Sequence, residues 1–308
     1  LALDGVIDYV EMHNVKYLYC NGDVFHTPGN IPTQALQVAS DFFRELRNLG
    51  CEYRLLVGNH DMANKSGGIN ALKFLDDGTN IAYPGVPARW FDGGLPIHGL
   101  GYCEDEDTII KFLEDAGRGG ERTVLLLHQG VAGVPLSSGY IIDERLTPDM
   151  IPDNCFAFTG HYHFHRVVTP NLIVVGNLTA LSWSDIDQEK GFVSWDDETG
   201  AIDFIPQVGA PKFLSYEPGQ LLDMDGHFIR YSAEVEAGEI PKLRADLKED
   251  GARMVEFPYV KSADNKVFQT GVAFDHNALI NAVAEDDMEP RRSEVGIEIR
   301  EEKYNVPG

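Results

Sequence analysis

Four short stretches carry side chains suited to holding a divalent cation, and each follows an apolar run. Arg54-Leu55-Leu56-Val57 leads into Gly58-Asn59-His60-Asp61, which presents an amide, an imidazole and a carboxylate in succession. Tyr17 to Cys20 leads into Asn21-Gly22-Asp23-Val24-Phe25-His26. Thr123 to Leu127 leads into His128-Gln129-Gly130, and Cys155 to Thr159 into Gly160-His161-Tyr162-His163. Carboxylate, amide oxygen and imidazole without thiols suit hard or borderline divalent ions such as manganese, zinc or iron. One such histidine is commonly a satisfied structural residue. Four strand ends with metal-competent groups point instead to one shared centre, because in sheets built from strand-helix-strand units ligand sites gather at the carboxyl ends of the strands.

The elements that must position these residues follow from apolar periodicity. Leu3, Val6, Ile7 and Val10 predict a helix over 1–14, and Leu36, Ala39, Phe43 and Leu46 another over 32–49 with Gly50 as its stop. Short strands are expected at 17–20, 53–57, 123–127, 155–159 and 172–175, with helices at 69–75 and 105–114. A hairpin of 192–195 with 202–205 turns at Thr199-Gly200. Pro and Gly punctuate 206–211, which reads as a linker between a domain over 1–205 and a small α+β domain over 212–308. The latter is expected to hold strands at 228–235, 254–259 and 295–300 and helices at 241–249 and 277–284.

Composition bounds the function. The net charge of −24 argues against a stand-alone binder of nucleic acid, which would neutralise phosphates with Lys and Arg. It leaves room for a centre where divalent ions hold the phosphate. The four cysteines are widely spaced with no C-x-x-C pair and read as reduced, structural thiols. No run of 18 apolar residues or signal-peptide pattern occurs, so the expectation is a soluble protein without a membrane partner that stays in the cytoplasm.

In order and spacing, Gly22-Asp23, Gly58-Asn59-His60-Asp61, His128 and Gly160-His161-Tyr162-His163 resemble the motifs of calcineurin-like metallophosphoesterases, over roughly residues 1–205. The resemblance implies an α/β fold, a four-layer sandwich of mixed sheets flanked by helices, with 212–308 as a capping domain that positions substrate. It implies two divalent ions, manganese first, with iron, zinc and magnesium as alternatives. Asp23 would bridge them, Asn59, His128 and His161 would complete one site, and His163 would ligate the other. His60 would contact the scissile phosphate and protonate the leaving oxygen, with Asp61 orienting its ring. Gly22-Asp23-Val24-Phe25-His26-Thr27-Pro28, Gly176-Asn177-Leu178-Thr179 and Lys190-Gly191-Phe192 look like the SbcD-type nucleases, a phage branch included. In that case His26 would act on the DNA strand or on the geometry around the centre.

The implied function is a DNA exo/endonuclease subunit in break processing or recombination. Its partners would be DNA, an SbcC-type ABC ATPase supplied in trans, since no G-x-x-x-x-G-K-[ST] loop is present, and a second copy in a homodimer. If phage-encoded, it would work in the host cytoplasm. Two other readings stay open: a phosphodiesterase or phosphatase for nucleotides or phosphoproteins, and a catalytically impaired binding or scaffold subunit. The last draws on a departure from the pattern. The family opens with a strand ending in Asp-x-His, and none precedes Leu1, so the expectation is a chain lacking its native amino-terminal segment. Asp225-Gly226-His227 spells the motif but is expected in a loop.

Overall fold

The computed structural model describes residues 2–26, 30–64, 67–136 and 139–261, together with the backbone of 267–269. The chain divides into two compact units, 1–212 and 213–308.

The first unit opens with α1 (Ala2–His13), β1 (Tyr17–Cys20), α2 (Thr33–Asn48), β2 (Glu52–Leu56) and β3 (Ile81–Ala82). β1, β2 and β3 pair in parallel as one sheet. α2 buries Ala39, Phe43 and Leu46, one stripe at helical spacing, against Leu55, Tyr53 and Val57, while α1 adds Val6 and Val10. The segment expected as a helix at 69–75 is a short 3₁₀ turn, Ala71–Leu75. There the Asn70 side chain accepts the Leu72 N–H at 3.1 Å and donates to the Gly67 carbonyl at 2.9 Å.

A six-stranded sheet follows from β4 (Ala88–Asp92), β5 (Leu95–Leu100), β6 (Thr123–Leu127), β7 (Cys155–Thr159), β8 (Arg166–Thr169) and β9 (Leu172–Val174), in the order β4-β5-β6-β7-β9-β8. Its centre is parallel and its two edges are antiparallel hairpins. β6 is buried at every position, as a central parallel strand covered on both faces must be. α3 (Glu106–Gly117), capped by the Asp105 carboxylate on the Thr108 N–H at 3.0 Å, packs Ile109, Phe112, Leu113 and Ala116 on Leu125 and Leu127. Leu126 and Val124, which alternate with these, belong to a separate core with Ile97, Phe158, Leu56 and Ala82. The faces of the two sheets that lack helices therefore meet. Arg54 of β2 clamps Asp92 of β4 with contacts of 2.6 and 3.1 Å, a second tie between the sheets.

The hairpin of β10 (Gly191–Trp195) and β11 (Ile202–Pro206) completes the strands of this unit. The 206–211 segment, read above as a linker, packs within the first unit: Gln207 is buried and its N–H reaches the Lys190 carbonyl at 2.7 Å. All four cysteines are free thiols.

In the second unit, β12 (Phe213–Tyr216), β13 (Phe228–Tyr231) and β15 (Met254–Glu256) form a parallel sheet. β14 (Val235–Glu236), β16 (Tyr259–Lys261) and β17 (Val267–Gln269) form another, and α4 (Ile240–Glu249) supplies Leu247 to a core with Ile229, Tyr231 and Val255. Two expected strands are each split between these sheets: 228–235 into β13 and β14, and 254–259 into β15 and β16. Pro258 interrupts the latter, because it has no N–H to give a ladder. Asp225-Gly226-His227 lies in a turn ahead of β13. The helix at 277–284 and strand at 295–300 fall outside the described residues. Among those described, four α-helices and several sheets make a mixed α/β protein. Among the described residues, no helix is long and apolar enough to cross a membrane.

Candidate metal centre

The four strand ends converge, but from two sheets rather than along one edge. Asp23 and Asn59 follow the adjacent parallel strands β1 and β2, and His128 and His161 follow the adjacent parallel strands β6 and β7. Asn21 staples the two pairs together. Its side-chain amide donates to the Phe158 carbonyl at 2.6 Å and the Leu127 carbonyl at 3.4 Å, while its own carbonyl receives the Nδ1 side of His128. Nothing in the sequence assigns Asn21 a role, although a buried Asn preceding Gly-Asp at a strand end has to find partners for four hydrogen-bonding positions. Asn21→Ala strips both side-chain bonds that tie the ends of β6 and β7 to the turn after β1. The expected loss is about 2–3 kcal/mol of unfolding free energy by urea titration.

The side chains meet closely. His128 Nε2 lies 3.2 Å from Asp23 Oδ2 and 3.0 Å from Asn59 Oδ1, and His161 Nδ1 lies 3.1 Å from the same amide oxygen. Among the described residues, no group of three or more His, Cys, Asp and Glu side chains is gathered to hold a metal on its own. The donor set here depends on the amide of Asn59, which links the Asp23–His128 pair to His161. These residues fit a divalent ion on two grounds. Metal–ligand bonds of about 2.0–2.2 Å imply separations of about 3.0 Å between neighbouring ligands of an octahedral ion, the range observed. In addition, both nitrogens of the His128 ring face oxygen acceptors, so the ring must carry an extra proton or have a cation beside Nε2.

Electrostatics agree with that requirement. Burial pushes the His128 imidazole down, but the Asp23 carboxylate and the Asn21 carbonyl outweigh it and raise its pKa above the ordinary value. Burial pushes Asp23 up, yet the hydrogen bond and charge of His128 and the N–H of His60 pull it below the usual carboxylate range. His161 falls to about 4, through burial first and the neighbouring His128 charge second. It is a neutral imidazole at physiological pH, the form that binds metals. Asp23 and His161 both have left-handed backbones, at φ 56° and 78°, which is costly for residues with a Cβ and is commonly stored at functional sites. Glycines give the motif loops their close approach: a Cβ on Gly58 would strike the Asp23 carboxylate, and one on Gly160 the Asn21 carbonyl.

The role that the resemblance implies for Asp61 looks different in the structure. The Asp61 carboxylate does not face the ring of His60. It accepts the backbone N–H groups of Asp23 at 2.8 Å, Gly58 at 2.9 Å and Phe25 at 3.1 Å, and so ties the loop after β1 to the turn after β2. Burial pushes it up to about 6 against the pull of the Gly58 and Phe25 N–H groups. The ring of His60 is held instead by His26. Its Nδ1 sits 2.8 Å from the His26 carbonyl, and the two imidazoles stack with centroids 5.1 Å apart at 13°. The Asp23 Oδ1 atom accepts the His60 N–H at 2.8 Å, so His60 is anchored to the cluster through its backbone.

His163 stands with another set of partners. Its Nδ1 is 3.6 Å from Asp185 Oδ1, and its carbonyl accepts from Lys190 Nζ at 2.6 Å. Burial raises the Asp185 carboxyl, but His163, Lys190 and the Leu181 N–H hold it down at about 2. Tyr102, also unassigned in the sequence, stacks on His161 with centroids 5.8 Å apart. It is placed there by its N–H to the Val57 carbonyl at 2.8 Å. No local pattern around Tyr102 signals this, because His161 follows a strand two places away in the same sheet and Val57 follows a strand of the other sheet.

A mixed α/β fold with amide, carboxylate and imidazole groups gathered at strand ends is thus what the chain presents. No family model matches it. It is 24% identical over 168 residues, 53% of this chain and 42% of the relative, to the DNA double-strand break repair protein Mre11 of Sulfurisphaera tokodaii. It is 23% identical over 214 residues, 67% of this chain and 61% of the relative, to exonuclease subunit 1 of Enterobacteria phage T4. The chain therefore spans between two fifths and two thirds of the length of these relatives.

Proposed function

We propose that this protein is a metal-dependent DNA nuclease of the metallophosphoesterase type, a phosphodiester hydrolase that works as one subunit of a larger assembly. The observation that carries this reading is the convergence of Asp23, Asn59, His128 and His161 at the ends of two sheets, with donor atoms 3.0–3.2 Å apart. The names of the two relatives supply the substrate, DNA, and the idea of a multi-subunit complex. The order of the cores, with α1 and α2 outside one sheet and α3 outside the other, supports the four-layer sandwich of that family.

Asp23, Asn59, His128 and His161 would hold one divalent ion, manganese by preference. Asp23 and His163 would contribute to a second. When bound, such ions supply an activated water and stabilise charge on the attacking and leaving oxygens. The protein's own share of the chemistry lies with His60. Its Nδ1 is fixed on the His26 carbonyl, which leaves Nε2 to contact the phosphate and give a proton to the leaving oxygen. His26 braces that ring by stacking. The second unit, 213–308, would serve as the cap that positions DNA. A basic partner, an ATPase of the SbcC type, would offset the −24 charge.

The test is cleavage of single- and double-stranded DNA by the purified protein with manganese, beside a small aryl phosphodiester. Manganese-dependent DNA cleavage that chelation abolishes is expected. Hydrolysis of the small diester with DNA left intact would overturn the nuclease assignment in favour of a nucleotide phosphodiesterase.

A further inference from the structure

Asp185, outside every motif above, forms a buried ion pair with Lys190, the first residue of Lys190-Gly191-Phe192, to which no role was given. Asp185 is 2% exposed and Lys190 6%, whereas the His163 side chain beside them is 38% exposed. Every donor of the lysine is engaged: Nζ reaches the His163 carbonyl at 2.6 Å, Asp185 Oδ1 at 2.9 Å and Gln188 Oε1 at 3.0 Å. The carboxylate is anchored from below, with Oδ2 accepting the N–H groups of Leu181 at 2.8 Å and Ser182 at 3.3 Å. Oδ1 is left facing His163 Nδ1 at 3.6 Å, a gap that a small turn of the ring closes to hydrogen-bond length. Burying two charges is costly, and an apolar pair would close the 181–190 loop without that cost. What an apolar pair could not do is grip one histidine at two points, its backbone carbonyl through the lysine and its ring through the carboxylate.

We propose that Asp185, held in place by Lys190, is a positioning residue for His163, accepting its Nδ1–H so that Nε2 turns its lone pair outward toward a divalent cation. This rests on the metal-centre reading above. It assigns a purpose to a carboxylate that lies 22 residues beyond the motif histidine in the chain. Metal-bound histidines generally need such a partner on the other ring nitrogen, which fixes the tautomer and raises the basicity of the ligating atom.

Two readouts test the proposal. The first is the tautomer of His163 by ¹⁵N side-chain NMR on the metal-free protein, above the pH at which the imidazole titrates. The Nδ1–H form is expected in the parent protein and the Nε2–H form, favoured by free imidazoles of histidine, in Asp185→Asn. An Nε2–H ring in the parent, or an Nδ1–H ring in both proteins, overturns the proposal. The second readout is manganese titration followed by calorimetry and electron paramagnetic resonance. Asp185→Asn should weaken the ion at His163 by about 10–100-fold and leave the ion at Asn59, His128 and His161 unchanged. Equal affinity for both ions in the two proteins overturns it as well. Should Asp185→Asn fail to fold, the tautomer in the parent decides alone. Should the parent bind no manganese, the metal-centre reading fails separately, while the tautomer still reports whether Asp185 sets the ring.

Discussion

Asn59→Ala is expected to weaken manganese binding by at least about 100-fold while leaving the metal-free protein folded. The separation of the two effects follows from where the amide sits. Its oxygen is the atom shared by His128 Nε2 at 3.0 Å and His161 Nδ1 at 3.1 Å, so removing it opens the middle of the donor set. Its side chain is only partly buried, and its loss deletes contacts worth about 1 kcal/mol in the metal-free state. His128→Ala would be a poorer probe. That ring is 1% exposed and engages both Asn21 and Asp23, so its removal would confound folding with binding. Calorimetric titration of the metal-free protein and urea unfolding of the same sample measure the two quantities. Because the defect lies in affinity, DNA cleavage by Asn59→Ala should fall at low manganese and recover in part when the ion is raised, by mass action. Unchanged manganese affinity in a folded Asn59→Ala protein would remove Asn59 from the centre.

Much of this site was legible because each of its groups is announced locally. An apolar run that ends in glycine and then a polar triplet gives both the strand and the side chain. β1, β6 and β7 have the expected bounds to the residue, and β2 is offset by one. What lay beyond reach depends on which strands share a sheet. The strand ends were expected along one edge, yet β1 and β2 belong to one sheet and β6 and β7 to another. Nothing in four similar motifs distinguishes one sheet from two meeting face to face. Asn21 escaped for that reason: its partners, the Phe158 and Leu127 carbonyls, lie across the gap between the sheets. The resemblance assigns Asp61 to the ring of its neighbour His60. A 3₁₀ turn over Asn59–Asp61 instead directs the carboxylate inward, where three N–H groups need an acceptor. Asp185 has a visible local signature, Ser182-x-x-Asp185 closing a turn, but that pattern is common and says nothing about His163.

His60→Gln should lower the turnover of DNA by about 10²–10⁴-fold with manganese affinity and stability unchanged. The hydrogen bond that joins His60 to the cluster is the backbone N–H to Asp23 Oδ1, which glutamine retains. What glutamine lacks is a proton that can be transferred. Its amide can still contact a phosphate, so the defect should appear in kcat more than in KM. The decisive comparison is between leaving groups. A sugar alkoxide of DNA needs protonation as its bond breaks, while an aryl phosphodiester with an acidic phenol departs without it. The loss on the aryl substrate should therefore be far smaller than on DNA. His26→Ala offers the companion measurement. The carbonyl that holds His60 Nδ1 remains in that variant, but the stacked ring at 5.1 Å is gone, so a partial loss on DNA with the same dependence on leaving group is expected. Equal losses on both substrates would instead make His60 a phosphate-binding group and leave the leaving oxygen to be protonated by solvent.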